Sequence, residues 1–342
     1  MAKRILKYIG LILLIYVFLC LITPFNKTLR NRSIKNQINY LSSILDKGYD
    51  DKLQGRFPEG KLFSNCLLAL SIIEFCDKNG IVDKKYATII DNCIRRIQSQ
   101  NAKNVFNAEL QPKYGAFYQG WSNLVYSTYT KSELINFSKY SLDVVEKLEN
   151  FETTIENIQT DSLRIIETYA GSNWPADNMI GVSSLQNDSL KSTWINLLLN
   201  TSEHNSNLIH HSGSQKSIIR GSSTSMITYC LKKSGYERVE DYNKAFEEIF
   251  IDTYWGIQLV QENEDGSNNM DVDSGPVLFG YGASATIMNI KTQASLKKPN
   301  AKITWAAIHL ISLPINIFEK KYLILKKEPM LDFFMLWSST EL

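Results

Sequence analysis

Two aspartates, Asp271 and Asp273, stand just before a proline, Pro276, that marks a helix start. A third, Asp177, follows Pro175 in the similar run Ser-Asn-Trp-Pro-Ala-Asp. Glycoside cleavage and related acid/base reactions need two carboxyl groups, of which one is ionised and the other protonated. A helix N-terminus stabilises an ionised carboxylate, whereas an acid needs burial or a second carboxylate that raises its pKa. We therefore predict Asp177, Asp271 and Asp273 as catalytic residues. Glu59 and the cluster Glu262, Glu264 and Asp265 are supplementary candidates for the same acid/base work.

These aspartates also have a structural interpretation. Asp177 could be the partner in a capping box, and Asp273 could be a plain N-cap. Asp271 lies two residues further out than a cap, where an extended backbone would put it on the same face as Asp273. The pair Asp271 and Asp273 is therefore the stronger functional prediction.

Other polar and aromatic residues stand at comparable helix starts. Aromatic rings could stack on sugars or pack against an isoprenoid chain, and an arginine at a helix start could hold an anionic group. Each could equally be a core residue or a surface residue beside a cap. The predicted substrate-binding residues are Glu59, Tyr118, Trp121, Trp174, Arg220 and Tyr281.

The same kind of helix start recurs along the chain. Six starts lie near Phe57, Tyr118, Ser172, Arg220, Asp271 and Glu328. Their spacing of roughly 45 to 60 residues indicates one helical hairpin per unit, since a helix pair buries its apolar face only against its neighbours. We predict an all-α fold, an (α/α)6 toroid of six helical hairpins preceded by one N-terminal transmembrane helix.

Amphipathic stretches between these starts predict the outer helices of the toroid. They cover residues 34 to 47, 83 to 100, 132 to 160, 189 to 203, 237 to 261 and 301 to 319. Helix starts on one rim of a toroid converge on a central funnel. The polar residues of the six starts are therefore expected to share one cavity.

An apolar run from Ile5 to Ile22 follows the basic residues Lys3, Arg4 and Lys7. At about 1.5 Å per residue this run spans roughly 27 Å, which is enough to cross a bilayer. A cleaved signal peptide is the alternative, but no small-x-small cleavage site follows. We predict a membrane anchor over residues 1–25 and one toroid domain over residues 26–342.

The basic residues on the two sides of the apolar run nearly balance, so the positive-inside rule discriminates only weakly. Lys27, Arg30, Arg32 and Lys35 follow the run and rival the basic residues before it. The protein is expected to be a single-pass membrane protein with its toroid outside the cytoplasm.

Composition limits the function classes. The 342 residues are 44% apolar, which is enough for a sizeable core. The net charge of +2 is spread without a basic stripe, so no nucleic-acid partner is expected. Five cysteines, an odd number, do not indicate a disulfide framework. The pair His210-His211 has no carboxylate or cysteine at ligand spacing and is predicted to lie in a solvated loop, so no metal and no cofactor are expected.

The motifs Pro-Glu-Gly, Tyr-Gln-Gly-Trp, Ser-Asn-Trp-Pro-Ala-Asp and Asp-Val-Asp-Ser-Gly-Pro occur in this order. In this order the chain resembles membrane-associated bacterial proteins related to the linalool dehydratase/isomerase family. The resemblance covers most of residues 50 to 290. It implies an (α/α)6 fold, shared with six-hairpin glycosidases, and a lyase or isomerase reaction. The terpenoid enzyme is associated with site cysteines, and Cys66, Cys76, Cys93 and Cys230 are not matched to them.

Two function classes follow from the sequence. The first is a membrane-anchored enzyme that uses paired carboxylates in a central funnel, acting on a saccharide or on a lipid-like small molecule as a hydrolase, lyase or isomerase. The second is a non-catalytic ligand-binding or interaction protein of the cell envelope. An amide in place of a carboxylate separates the two, because an enzyme would lose turnover and keep binding.

Overall fold

A computed structural model of the chain describes residues 2–161, 164–201, 206–213, 218–270, 274–323 and 330–342. The α-helices in these ranges are α1 Ala2–Ile22, α2 Lys27–Leu45, α3 Tyr49–Gln54, α4 Gly60–Asn79, α5 Lys84–Ile97, α6 Gln100–Lys103, α7 Gly115–Tyr129, α8 Ser141–Asp161, α9 Pro175–Ser184, α10 Asp188–Leu199, α11 Gly221–Lys233, α12 Val239–Phe250, α13 Ala283–Ser295, α14 Asn300–Ile311 and α15 Met330–Ser339. The strands form three antiparallel hairpins, with β1 Ile251–Tyr254 paired to β2 Ile257–Val260, β3 Val277–Leu278 to β4 Tyr281–Gly282, and β5 Pro314–Ile317 to β6 Lys320–Leu323.

Six helices form a closed inner ring. Helix α4 packs on α7, and the ring continues through α9, α11, α13 and α15, which returns to α4. Six outer helices, α2, α5, α8, α10, α12 and α14, each pack on an inner helix next to them along the chain. The predicted all-α (α/α)6 toroid is therefore confirmed.

The sequence explains why the two layers differ. Helix α4 is buried over most of its length, as a helix enclosed by neighbours must be. Helix α5 instead buries one stripe, which includes Tyr86, Ile90, Ile94 and Ile97. Asp83 caps this outer helix by accepting a hydrogen bond from the backbone N–H of Lys85 at 2.8 Å.

Aromatic side chains fill the middle of the ring. The ring of Phe63 lies 4.6 Å from Trp121 and 5.0 Å from Phe334, measured between centroids. Trp121 in turn lies 5.7 Å from Trp337. The inner helices thus enclose an aromatic plug with two ends. We call the end where the inner helices begin the rim, and the end where they finish the far end.

Two predicted outer helices are shorter than expected. The stretch 237 to 261 is helical only to Phe250, and the stretch 301 to 319 only to Ile311; each then turns into a hairpin. The turn pairs Trp255-Gly256 and Phe318-Glu319 have positive φ at both residues, which is the type I′ geometry that joins two strands directly. The β-branched and aromatic residues of these strands satisfy their backbone groups across the ladder instead of along a helix.

The stretch 132 to 160 is also divided. It begins with a 3-10 helix, Glu133–Phe137, and helix α8 starts only at Ser141. Ser132 caps the 3-10 helix by accepting a hydrogen bond from the backbone N–H of Leu134 at 3.4 Å. This cap starts a separate short turn before the outer helix.

Helix α1 precedes the toroid. Its segment Arg4–Ile22 is long and apolar enough to cross a membrane, and only 6% of that window is buried against the rest of the protein. Near its C-terminal end, the hydroxyl of Tyr16 donates a hydrogen bond to the carbonyl of Pro314 at 3.2 Å, and Cys20 is buried. The helix is therefore attached to the toroid at one end and exposed over the rest.

Candidate active site

The pair Asp271 and Asp273 lies outside the described residues, so its catalytic role stays a prediction. The next described residue, Ser274, is buried. Its backbone carbonyl accepts a hydrogen bond from the backbone N–H of Ser284, in the first turn of α13, at 3.4 Å. The chain that follows the pair therefore lies at the rim.

Glu59 brings a carboxyl group to the rim at the residue before α4. Its Oε1 accepts a hydrogen bond from the hydroxyl of Tyr169, which is 110 positions away in the chain. Burial raises the pKa of the Glu59 carboxyl, because desolvation disfavours the charged form. Glu59 is thus biased toward the protonated state that a general acid needs.

Asp177 brings a second carboxyl group to the rim from the first turn of α9. This helix starts at Pro175, where the missing N–H costs no helical hydrogen bond. The Oδ2 atom of Asp177 accepts a hydrogen bond from the hydroxyl of Thr168 at 2.9 Å. The carboxylate therefore bonds to a residue outside its own helix, which a capping role alone would not require. The helix N-terminus favours the ionised form of this group.

Two consecutive residues donate hydrogen bonds to the two carboxyl groups. Thr168 bonds to Asp177 and Tyr169 bonds to Glu59, so the acids are tied to positions about 3.8 Å apart along the backbone. The two acids come from inner helices α4 and α9, which α7 separates in the ring. We call Glu59, Thr168, Tyr169 and Asp177 the carboxylate bracket.

The backbone around the bracket is fixed on both sides. The side chain of Asn178 accepts a hydrogen bond from the backbone N–H of Ile166 and donates one to its carbonyl, both at 2.9 Å. At the start of α7, Gly115 has a φ of +77°, and a Cβ atom there would lie 2.3 Å from the carbonyl of Thr168. The close approach of two backbones therefore requires glycine at this position.

Aromatic rings border the bracket. The ring of Trp174 meets Tyr169 edge-on at 5.7 Å, and Tyr169 stacks on Phe106 at 6.0 Å. Phe106 stacks in turn on Phe117 at 6.0 Å. Trp174 is only partly buried, so part of its surface is free to contact a ligand. Aromatic surface beside a few directing polar groups is typical of a small-molecule site.

A second polar group lies at the start of α11, the neighbour of α9 in the ring, where Arg220 is the residue before the helix. The hydroxyl of Ser222 donates a hydrogen bond to Glu262 at 2.7 Å, and Glu262 is fully buried. His211 Nδ1 lies 2.7 Å from the hydroxyl of Ser223. Burial, and then the charge of Arg220, lower the pKa of His211 to about 4, so this imidazole is neutral at pH 7. The expectation of a solvated loop is wrong for His211, which is partly buried and hydrogen-bonded.

The other predicted binding residues lie away from the bracket's polar atoms. Tyr118 and Trp121 are buried, and the hydroxyl of Tyr118 donates a hydrogen bond to the carbonyl of Ile97 at 3.3 Å. The hydroxyl of Tyr281 donates one to Asp252 in β1 at 2.8 Å. Of the predicted residues, the structure therefore connects Glu59, Trp174 and Asp177 through Thr168 and Tyr169, and it puts Arg220 directly before the next inner helix.

A crevice opens beside the bracket. It has a volume of about 310 Å³ and is lined by residues that include Glu109, Gln111, Arg164, Glu167 and Asn173. Asn173 directly precedes Trp174, and its buried Oδ1 atom has no hydrogen-bond partner among the described residues. The crevice thus offers a polar wall next to the aromatic surface.

Thr168, Tyr169 and the His211–Ser223 contact were not predicted from the sequence. Tyr169 has one weak signal, since it belongs to the aromatic-rich run that leads into Ser172-Asn-Trp-Pro. No local pattern connects it to Glu59. The partnership arises only when the ring closes.

In the described part of the chain, no group of three His, Cys, Asp or Glu side chains is arranged to hold a metal ion. The five cysteines are all free and buried. Burial raises the pKa of the Cys76, Cys93 and Cys230 thiols to about 12, so these groups are protonated and unreactive at neutral pH.

No protein-family model matches the sequence, and no curated protein matches it. The resemblance to the linalool dehydratase/isomerase family is therefore not supported by these comparisons. Among solved structures, the chain is similar to a glycoside hydrolase of family 105 from C. acetobutylicum ATCC 824. The two chains share 11% identity over 81% of this chain and 93% of that one, with a TM-score of 0.48.

Proposed function

We propose that this protein is a membrane-anchored enzyme that cleaves or rearranges a saccharide by acid/base chemistry at the rim of its toroid. The observation that carries the proposal is the carboxylate bracket, in which two acids with different environments are tied to consecutive residues. A partly buried carboxyl group with a raised pKa and a second carboxyl group in the first turn of a helix have the environments expected of an acid and a base.

Glu59 is the general acid in this proposal. Burial raises its pKa, and the hydroxyl of Tyr169 fixes one of its oxygens. A protonated carboxyl group held in this way can donate its proton to the oxygen of a leaving group. The sequence predicted Glu59 as a substrate-binding residue and, in second place, as a candidate for acid/base work; the proposal adopts the second role.

Asp177 is the base or nucleophile. The first turn of α9 and the hydroxyl of Thr168 both favour its ionised form. An ionised carboxylate can activate a water molecule or stabilise positive charge on a sugar ring. Asp271 and Asp273 remain proposed catalytic residues of the same rim, from the loop before α13.

A saccharide suits the surface around the bracket. Trp174 and Tyr169 offer aromatic rings, and the crevice beside Asn173 offers polar atoms. Arg220 is proposed to bind an anionic group of the substrate from the start of α11. Binding roles for Tyr118, Trp121 and Tyr281 stay predictions, and any such role for the two buried residues would be through packing.

A lyase or isomerase reaction that depends on a thiol has less support. Every cysteine of the chain is buried, and the three thiols whose pKa is raised to about 12 are poor nucleophiles. The acids of the bracket therefore carry the proposed chemistry.

The proposal is tested with the full chain in detergent against a panel of oligosaccharides. Product is detected by mass spectrometry, and binding is followed by the shift in thermal midpoint. Glu59→Gln and Asp177→Asn are each expected to lower turnover by about 10²- to 10⁴-fold while the midpoint shift persists. Asp188→Asn is the matched control, since Asp188 also lies in the first turn of a helix but on the outer surface.

The outcomes separate the two function classes. Loss of turnover in both bracket variants with an active control supports the enzyme. A parent that binds a saccharide without forming product supports the non-catalytic ligand-binding protein. Full turnover in both bracket variants would exclude the bracket as the active site.

A further inference from the structure

The direction of helix α1 is set by its contacts with the toroid. Helix α14 follows α13 after only residues 296–299 and packs on it, so the two helices run antiparallel. Gln258 donates a hydrogen bond from its backbone N–H to Thr304 and accepts one from the side chain of Asn289, which puts these two residues at one level. The C-terminal end of α14 therefore lies beside the start of α13, at the rim.

Helix α1 packs on α14, and two contacts show that it runs in the opposite direction. His309 of α14 lies against the backbone of Cys20. One turn earlier in α1, Tyr16 bonds to Pro314, which follows the end of α14. Toward the N-terminus of α1, the contacts therefore progress to the C-terminal end of α14 and then beyond it. The free part of α1 consequently projects beyond the rim and not beyond the far end.

The exposed part of α1 is too short to cross a bilayer by itself. The residues from 4 to 15 are exposed, and at about 1.5 Å per residue they span roughly 18 Å. A hydrocarbon core is about 30 Å thick, so roughly 12 Å must come from the part of α1 that packs on the toroid. A membrane crossed by α1 would therefore reach the rim itself.

The rim beside α1 carries an apolar ridge. Ile311 at the end of α14 is 67% exposed, Ile317 is 48% exposed, and Phe318 at the tip of the β5–β6 hairpin is 94% exposed. The hairpin lies on α2, where the side-chain amide of Asn39 donates a hydrogen bond to the carbonyl of Glu319 at 3.1 Å. The exposed phenylalanine is therefore held in place by its hairpin.

A second exposed aromatic lies at the start of α13. Phe279 is at the first position of the β3–β4 turn, has a φ of +54° and is 92% exposed; its neighbour Leu278 is 68% exposed. Bulky residues rarely adopt a left-handed backbone. Two phenylalanines are thus presented to solvent at strained turn positions on the end of the toroid from which α1 emerges.

We propose that the toroid lies rim-down on a lipid bilayer, with α1 crossing it and Phe279, Phe318 and Ile311 immersed in the interface, so that the carboxylate bracket takes a saccharide attached to a lipid. The substrate part of this inference rests on the proposed function. A bilayer fits these residues better than a protein partner, because α1 is long and apolar enough to cross a membrane at this end and the exposed side chains continue that apolar surface. Burying exposed aromatic and aliphatic side chains in the interface is favourable in proportion to their apolar area.

The orientation is tested on the full chain reconstituted in vesicles of phosphatidylcholine with phosphatidylglycerol. Phe318→Cys and Phe279→Cys each receive an environment-sensitive dye, whose quenching by a lipid-attached nitroxide reports its depth. Trp255→Cys is the matched control: Trp255 is 97% exposed at the same position of a type I′ hairpin turn, but its neighbour Gly256 lies beside Ile303, at the other end of α14. The native cysteines are buried and serve as an internal check on labelling.

Dyes at 318 and 279 are expected to lie roughly 5–10 Å inside the headgroup boundary, and the dye at 255 in water. Equal quenching at all three positions, or strongest quenching at 255, would overturn the rim-down orientation. Loss of α1 from the mature membrane-bound protein, seen in its intact mass, would overturn it as well.

The substrate arm uses the saccharide found by the panel above, presented on diacylglycerol in the same vesicles or free in solution. Phe279→Ser combined with Phe318→Ser is expected to lower turnover of the lipid-attached form about tenfold and to leave the free form unchanged. Equal turnover of the lipid-attached form by parent and double variant would contradict the inference. If Glu59→Gln retains turnover while the dyes report rim-down docking, the proposed function fails and the orientation stands. If Glu59→Gln loses turnover while the dyes are not quenched, the orientation fails and the proposed function stands.

Discussion

Ionisable groups at the two ends of the inner ring have opposite environments: a paired charge at one end and carboxyl groups bonded to hydroxyls at the other. At the far end, the ammonium group of Lys291 is fully buried and pairs with Glu74, and it also donates to the carbonyl of Trp337 at 3.1 Å. At the rim, the carboxyl groups of Glu59 and Asp177 accept hydrogen bonds from the hydroxyls of Tyr169 and Thr168.

The pKa values express the same difference. Burial alone would raise the pKa of Glu74, but the charge of Lys291 lowers it below its ordinary value. At Glu59 burial raises the pKa. The far end has therefore neutralised its charge within the fold, whereas the rim retains a carboxyl group that can exchange a proton. This comparison identifies the far end as structural and favours the rim as the place for chemistry.

Breaking the far-end pair is expected to have the largest effect on stability. Lys291→Met removes the ammonium group that contacts the largely buried carboxylate of Glu74 and leaves only the more distant charge of Lys233, so it is expected to lower the free energy of unfolding by about 3–5 kcal/mol. Urea unfolding measures the change. The double variant Glu74→Leu with Lys291→Met should recover most of the loss, because the pair is removed as a unit. A single variant as stable as the parent would contradict a structural role for this pair.

The tryptophans sharpen the comparison between plug and rim. Trp121 is 1% exposed in the aromatic plug, and Trp121→Ala is expected to cost about 3–5 kcal/mol of stability. Trp174 is only partly buried, and Trp174→Ala is expected to cost roughly 1 kcal/mol while weakening saccharide binding. Both are measured by denaturant unfolding and by ligand-induced midpoint shifts. Equal destabilisation would make Trp174 a core residue.

Acid is expected to destabilise the rim through His211. Its pKa falls from 6.5 to about 4 in the folded state, so the unfolded chain takes up the proton first as the pH drops. Stability is unaffected above about pH 6.5 and is lost between pH 6.5 and 4, by on the order of 1–2 kcal/mol after discounting for the partial exposure of this side chain. Unfolding measured across this range should be flatter for His211→Gln. An identical pH profile in the variant would show that His211 does not titrate in this way.

Glu59 is expected to have a smaller effect of the opposite sign. Its raised pKa means that the folded state holds the proton more tightly, so its stabilising contribution is present below the ordinary pKa and is lost as the pH rises through the folded value. Glu59→Gln should therefore gain stability relative to the parent between about pH 4 and 7, by roughly 1 kcal/mol or less. Matched thermal scans at the two pH values test this, and a relative loss on going to the higher pH would contradict the raised pKa.

Much of the fold was predictable because its signals are local. Helix starts such as Pro175 recur once per hairpin, and an amphipathic stripe such as that of α5 indicates an outer helix. The two overlong helix predictions failed where the chain passes from helix to hairpin. Apolar residues in short strands fit a helical pattern almost as well as those of a helix. The two turns also depend on a left-handed backbone at Trp255 and Phe318, which the residue types do not predict.

The candidate site was predictable only in part. Asp177, Glu59 and Trp174 were predicted from helix starts and their roles stay predictions, whereas the hydrogen-bond partners of the two acids were not predicted. Tyr169 bonds to a residue 110 positions away, and such a contact depends on how helices close a ring. The raised pKa of Glu59 was not predictable for the same reason, since it comes from tertiary burial.

By itself, the sequence determined the number of hairpins, the all-α class and the presence of an apolar N-terminal helix, because periodicity, proline position and run length act within a few residues. Tertiary structure decided which hydroxyl groups bond to each acid, which aromatics are buried in the plug, and on which side of the toroid α1 leaves. Those properties depend on the closure of six hairpins into a ring, which brings together groups that are distant in the chain and sets the burial, and hence the charge, of each.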